Sequence, residues 1–138
     1  MYTKGMSEPS IFTRIINGEI PCYKVYEDDS TLAFLDINPV NDGHTLVVPK
    51  KEVEFIWDLD ETDYQALMQT VHKVGRRIRA VTDKKYLGQL VVGTDVPHVH
   101  VHLVPFDESV EIKRAFGADR PQAEPTKLTK IAESLYFS

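Results

Sequence analysis

Three of the five histidines in this 138-residue chain occupy alternate positions of one short run, His98-Val99-His100-Val101-His102-Leu103-Val104. Valine favours extended backbone, and side chains alternate across a strand with a period of two. Read as a strand over 98–105, the run puts three imidazoles on one face. Val99, Val101 and Leu103 fall on the other, toward a core. Two kinds of chemistry suit such a row. Neutral imidazoles are common metal ligands, so His98, His100 and His102, with His44, form one candidate metal set. Alternatively, a neutral imidazole can attack phosphorus and become covalently attached, while its neighbours orient it and protonate the leaving group. Crowding favours neutral rings, because neighbouring imidazolium charges repel. His72 lies beside Lys73 in a long helical pattern and is expected on its exposed face.

The elements that must position these rings are legible from periodicity. Apolar residues at Ile11, Phe12, Ile15, Ile16 and Ile20 predict a short amphipathic helix over 10–20, capped by Ser10 and ended by Asn17-Gly18. Strands are predicted over 23–27 and 31–36, joined as a hairpin by Asp28-Asp29-Ser30. A turn-rich loop over 38–43 leads into a third strand over 44–49. Tyr64, Leu67, Met68, Val71, Val74, Ile78 and Val81 predict a long helix over 60–82, with acidic residues at its start and basic ones later. Two further strands are expected, over 89–92 and 98–105. Residues 106–125 read as polar and irregular, and 126–137 as a closing helix. Parallel βαβ alternation is absent, so the predicted class is α+β with an antiparallel sheet.

Bulk composition narrows the function classes. The chain is 42% hydrophobic and 27% charged, values of an ordinary globular domain. Its net charge of −5 argues against general nucleic-acid binding, which draws on clustered Lys and Arg. A small phosphorylated ligand stays open, since a few aimed donors can hold one. No apolar run approaches the roughly 20 residues of a membrane span. The single cysteine, Cys22, can form no internal disulfide, and no signal peptide is evident at the N-terminus. The expected location is cytoplasmic, with no membrane partner.

The His-x-His-x-His run followed by apolar residues resembles the signature of the histidine-triad (HIT) family. The segments 11–21 (Ile-Phe-Thr-Arg-Ile-Ile-Asn-Gly-Glu-Ile-Pro), 32–39 (Leu-Ala-Phe-Leu-Asp-Ile-Asn-Pro) and 43–51 (Gly-His-Thr-Leu-Val-Val-Pro-Lys-Lys) resemble the family's opening and central blocks, in the right order. The likeness runs from Ser10 to Phe106. It implies a HIT-like domain over 10–106, preceded by a flexible stretch over 1–9 and followed by a C-terminal extension over 107–138. It also implies a homodimer whose five-stranded sheets join across the interface. The implied ligand is a purine nucleotide, cleaved at the α-phosphate through a nucleotidyl-histidine without a metal or other cofactor. By position, His100 is the implied nucleophile, His98 and His102 its flanking helpers, and His44 the fourth histidine facing the triad. Asp36 corresponds to the carboxylate that holds the ribose hydroxyls, and Phe12, Ile15, Ile20, Phe34 and Ile37 to the wall of the base pocket.

Two departures from the family pattern bear on substrate. The loop before the triad is short, with Gly93 where an Asn often stands and Asp95 where Ser or Thr does. A carboxylate there would orient or recharge a nearby histidine, and would favour an amine over an anionic leaving group. Ser10, Thr13 and Glu52 stand where some bacterial members carry zinc ligands, so no structural zinc is expected, and Cys22 is expected to be non-catalytic. Arg114 and Arg120 in the tail are expected on the solvent surface. Three functions remain open: a phosphoramidate or dinucleotide hydrolase, a nucleotide-binding or signalling module with little turnover, and a His-cluster metal enzyme.

Overall fold

The computed structural model describes residues 8–117 and 119–138; the expectation of a flexible stretch over 1–9 falls mostly outside them. Helix α1 (Ile11–Ile16) opens on Ser10, whose hydroxyl accepts a hydrogen bond from the Thr13 N–H. It stops earlier than the apolar spacing suggests, because Asn17 closes it and Gly18 takes a φ of +79°. Strands β1 (Lys24–Glu27) and β2 (Thr31–Leu35) form the expected hairpin. Its turn is held by the Asp28 carboxylate, which accepts from the Ser30 and Thr31 N–H groups. Then follow β3 (Thr45–Pro49), the long α2 (Glu61–Val81), β4 (Tyr86–Leu90), β5 (Val101–Phe106), the short α3 (Ser109–Ile112) and α4 (Pro125–Leu135).

The five strands make one antiparallel sheet in the order β1-β2-β3-β5-β4. One face carries the main core. There the α2 stripe Leu67, Val71, Val74 and Ile78 packs on Val47, Val101 and Leu103, and α4 adds Leu128, Ala132 and Leu135. The alternation predicted for the histidine run thus places its valines where expected. The opposite face holds a smaller cluster of Phe12, Leu32, Phe34, Leu46 and Val48, which α1 helps to cover. This second face is the one that carries the histidines.

Two strands also differ in extent from the sequence expectation. β4 lies at 86–90 rather than 89–92, and β5 starts at Val101 rather than His98. Pairing between the two ends at Leu90↔His102. Beyond it the chain turns tightly, with the His98 N–H donating to Val96 O, and the Val99 N–H reaches Val53 O in a different loop. The ladder therefore has no partner strand to continue onto. Residues 106–125 are also less irregular than expected: they contain α3 and a 3₁₀ turn over Lys113–Phe116. No helix among the described residues is long and apolar enough to cross a membrane.

Candidate active site

A cavity of about 800 Å³ opens on the histidine-bearing face, within the size range of small-molecule sites. His100 and His102 lie in its wall. So do Asp36, Asp95 and all five residues expected to form a base pocket: Phe12, Ile15, Ile20, Phe34 and Ile37. His98 and His44 do not line it. They stand behind His100 and His102 respectively, and the hydrogen bonds show what they hold.

His98 is fully buried. Its Nε2 lies 2.8 Å from the carbonyl oxygen of Pro49, so that nitrogen carries the proton and donates. Its Nδ1, 2.8 Å from the Ser10 hydroxyl, accepts. The neighbouring groups agree with this assignment. The Glu52 carboxylate accepts from the Thr13 hydroxyl at 2.6 Å and the Ser10 N–H at 2.8 Å, while Ser10 Oγ accepts from the Thr13 N–H. The Ser10 hydroxyl points its proton at His98 Nδ1, its shorter contact, with Thr13 Oγ1 a second acceptor at 3.3 Å. The positions read from sequence as lacking zinc ligands thus form a hydrogen-bonded oxygen cluster that fixes the first histidine of the run.

The carbonyl of His98 in turn fixes His100. It lies 2.7 Å from His100 Nδ1. A carbonyl only accepts, so Nδ1 carries a proton, and in the neutral ring the lone pair is on Nε2. The ring of Phe12 stands edge-on to His100 at 5.0 Å between centroids, which restrains its tilt.

A second relay fixes His102. The Val40 N–H donates to His44 Nδ1 at 3.0 Å, so the proton of neutral His44 is on Nε2 and donates to His102 Nδ1, also 3.0 Å away. The proton of neutral His102 is then on Nε2, and the ring offers a donor to the cavity. Both rings are neutral near pH 7. Burial, helped by the His102 and Arg120 charges, pushes His44 down to about 3. Burial, with His100 and Arg120, pushes His102 down to about 4 against an opposing pull from Asp95.

Asp36, His44 and His102 have ligand atoms close enough together for an ion. The relay argues against that use. With Nδ1 of His44 accepting from a main-chain N–H, binding a metal through Nε2 would require an imidazolate. Nor does the metal set His98, His100 and His102 assemble, since both nitrogens of His98 are already engaged by protein groups. The carboxylate of Asp36 accepts from the Asn38 N–H at 2.8 Å through one oxygen. Its other oxygen lies 3.4 Å from the Arg120 guanidinium. Burial raises its pKa, against the pull of the Asn38 N–H, Arg120 and His100.

Arg120 corrects the expectation of a solvent-surface residue. Its side chain is 15% exposed and donates to the carbonyl of Asn38 at 2.6 Å, as well as to carbonyls of its own tail segment. Arg114 is more exposed but is also engaged, donating to Val40 O and Asn41 Oδ1. The tail therefore grips the loop after β2 and adds Phe116 and Arg120 to the cavity wall. Contacts across roughly 80 residues of chain leave no local pattern from which to read them. Cys22 is likewise in the wall, its thiol pushed up by burial and so kept protonated.

This architecture has counterparts among known proteins. A family model for the HIT domain matches residues 17–109. A HIT-like protein of Methanocaldococcus jannaschii is 44% identical over 102 residues, covering 69% of this chain and 77% of its own. An adenosine 5′-monophosphoramidase of Schizosaccharomyces pombe is 34% identical over 99 residues, covering 69% and 72%. A Hit-like protein from Bartonella henselae superposes with a TM-score of 0.82 at 27% identity, over 94% of this chain and 95% of the other. The family model spans more than half of the chain, and relatives 44% and 34% identical to it are covered over more than two thirds of both chains, so the chain belongs to the HIT-domain family.

Proposed function

We propose that this protein is a nucleotide-binding hydrolase that cleaves purine nucleoside phosphoramidates at the α-phosphate through a nucleotidyl-histidine. One observation carries the reading: His98 O holds the Nδ1 proton of His100, which leaves an Nε2 lone pair in the wall of an apolar-walled cavity. His100 Nε2 attacks the α-phosphorus, and a P–N bond to the enzyme forms as the bond to the leaving nitrogen breaks. The leaving nitrogen takes up a proton from solvent in the open cavity and departs as the amine, and the water of the second step gives a proton back to solvent. Water then displaces His100, giving the nucleoside monophosphate and restoring the ring. His102 Nε2–H donates to the phosphoryl oxygens, where charge gathers. His98 and His44 act as positioning residues, since neither reaches the cavity. Asp36 accepts from the ribose hydroxyls, and Phe12, Ile15, Ile20, Phe34 and Ile37 face the purine.

Asp95 supports an amine leaving group over a nucleotide or pyrophosphate. It is exposed in the cavity wall, and its charge is felt at His102. A carboxylate there attracts an ammonium and repels a phosphate. The relative named as an adenosine 5′-monophosphoramidase supports the same chemistry. The test is steady-state hydrolysis of an adenosine 5′-phosphoramidate bearing a cationic amine, set against a diadenosine polyphosphate. Asp95→Asn is expected to narrow the preference for the phosphoramidate by roughly threefold to tenfold, the scale of one exposed charge. An unchanged ratio would remove Asp95 from specificity. Wild-type protein that binds AMP but turns over neither substrate would favour the binding-module reading.

The same proposal includes a homodimer with its sheet continued across the free edge of β4. That edge strand is only half-buried in the single chain, with Tyr86 at its start and Val91 just beyond its end exposed. Light scattering on the eluting protein should give twice the mass of one chain, 15.7 kDa; a monomer at micromolar concentration would sink the interface.

A further inference from the structure

Of the twelve large hydrophobic residues exposed among the described residues, four, Ile11, Ile37, Val92 and Phe116, line the one cavity described above. Phe116 is the most open of these four at 65%. It contributes to neither hydrophobic core cluster, and it contacts no other ring among the described residues. An aromatic ring left bare at a pocket wall is a surface awaiting a ligand.

Its position is nevertheless fixed. Phe116 ends the 3₁₀ turn Lys113–Phe116, and Arg120 fastens that turn to the rest of the site. The guanidinium donates to the carbonyls of Arg114 at 3.1 Å, Ala115 at 3.3 Å and Gly117 at 3.4 Å. On its other side it donates to Asn38 O and lies against Asp36. One planar group thus ties the turn bearing Phe116 to the carboxylate read as the ribose acceptor. A ring held in register with the ribose site is placed for the base rather than for the phosphate, which His100 and His102 serve.

We propose that Phe116 is a stacking wall for the nucleotide base, supplied by the C-terminal segment and held in place by Arg120; this rests on the nucleotide reading given above. Because every base has a π-face, stacking of this kind adds affinity with little discrimination among bases. Calorimetric titration with AMP and with ribose 5-phosphate, which lacks the base, separates the contributions. Phe116→Ala should weaken AMP by about tenfold, the loss of one base–aromatic stack, and leave ribose 5-phosphate unchanged. Phe116→Tyr should restore AMP affinity. Equal AMP affinity in Phe116→Ala and wild type would overturn the proposal, as would an equal loss of both ligands, since that would mark a structural role. Wild-type protein that binds ribose 5-phosphate but gains nothing from the base would also overturn it. Wild-type protein that binds neither ligand would instead overturn the nucleotide reading, and this proposal with it.

Discussion

His100→Ala is expected to lower phosphoramidate turnover by at least about 10⁴-fold, the scale seen when a covalent nucleophile is removed. The expectation follows from how completely the protein commits this ring. Its Nδ1 proton is held by a main-chain carbonyl 2.7 Å away, and its tilt is set by Phe12. None of the three histidines around it is equipped to substitute. Both nitrogens of His98 are engaged with Pro49 and Ser10, both nitrogens of His44 with Val40 and His102, and the free Nε2 of His102 bears a proton. AMP affinity should change little, because the apolar walls and Asp36 are untouched. Release of a fluorescent amine measures the rate, and titration with AMP measures the binding. Turnover within tenfold of wild type would exclude His100 as the nucleophile. Lost AMP binding would mean that the substitution had damaged the pocket.

Acid should destabilise the fold well above the pH at which carboxylates titrate. His44 and His102 hold protons only below about 3 and about 4 in the folded chain, against an ordinary 6.5. Between pH 6.5 and about 4 the unfolded chain therefore binds more protons than the folded one, and stability rises with pH throughout that window. At about 1.4 kcal/mol per tenfold change in proton affinity, the pair accounts for several kcal/mol present at pH 7 and lost on acidification. Asp36, whose carboxyl is raised by burial, opposes this only toward the acid end. Urea unfolding at pH 7, 5.5 and 4.5 should show midpoints that fall steadily. His44→Asn removes the titrating ring while keeping an acceptor for the Val40 N–H, and should flatten the profile. A wild-type midpoint independent of pH would contradict the neutral relay.

Period and chemistry along the chain were enough for the frame of this protein. Two-residue alternation at 98–104 separates the core valines from the histidines, and three-to-four spacing in 61–81 marks the helix that covers the valine face. These signals survive because burying an apolar face is decided residue by residue along an element. The resemblance in the 11–21, 32–39 and 43–51 segments added an assignment for Asp36, His44 and the apolar wall, and the fold brings those residues to one cavity or directly behind it. Tertiary structure alone decided the rest. Residues 98–100 leave the strand because Val53, not a neighbouring strand, receives the Val99 N–H. His98 has no access to the cavity because Ser10 and Pro49, far away in sequence, claim both its nitrogens. Arg120 left the surface because the carbonyls that satisfy it, at Asn38 and in its own turn, converge only after the tail has folded back. A proton's position on an imidazole depends on what each nitrogen meets, and those partners are brought by loops whose composition gives no hint of where they will lie.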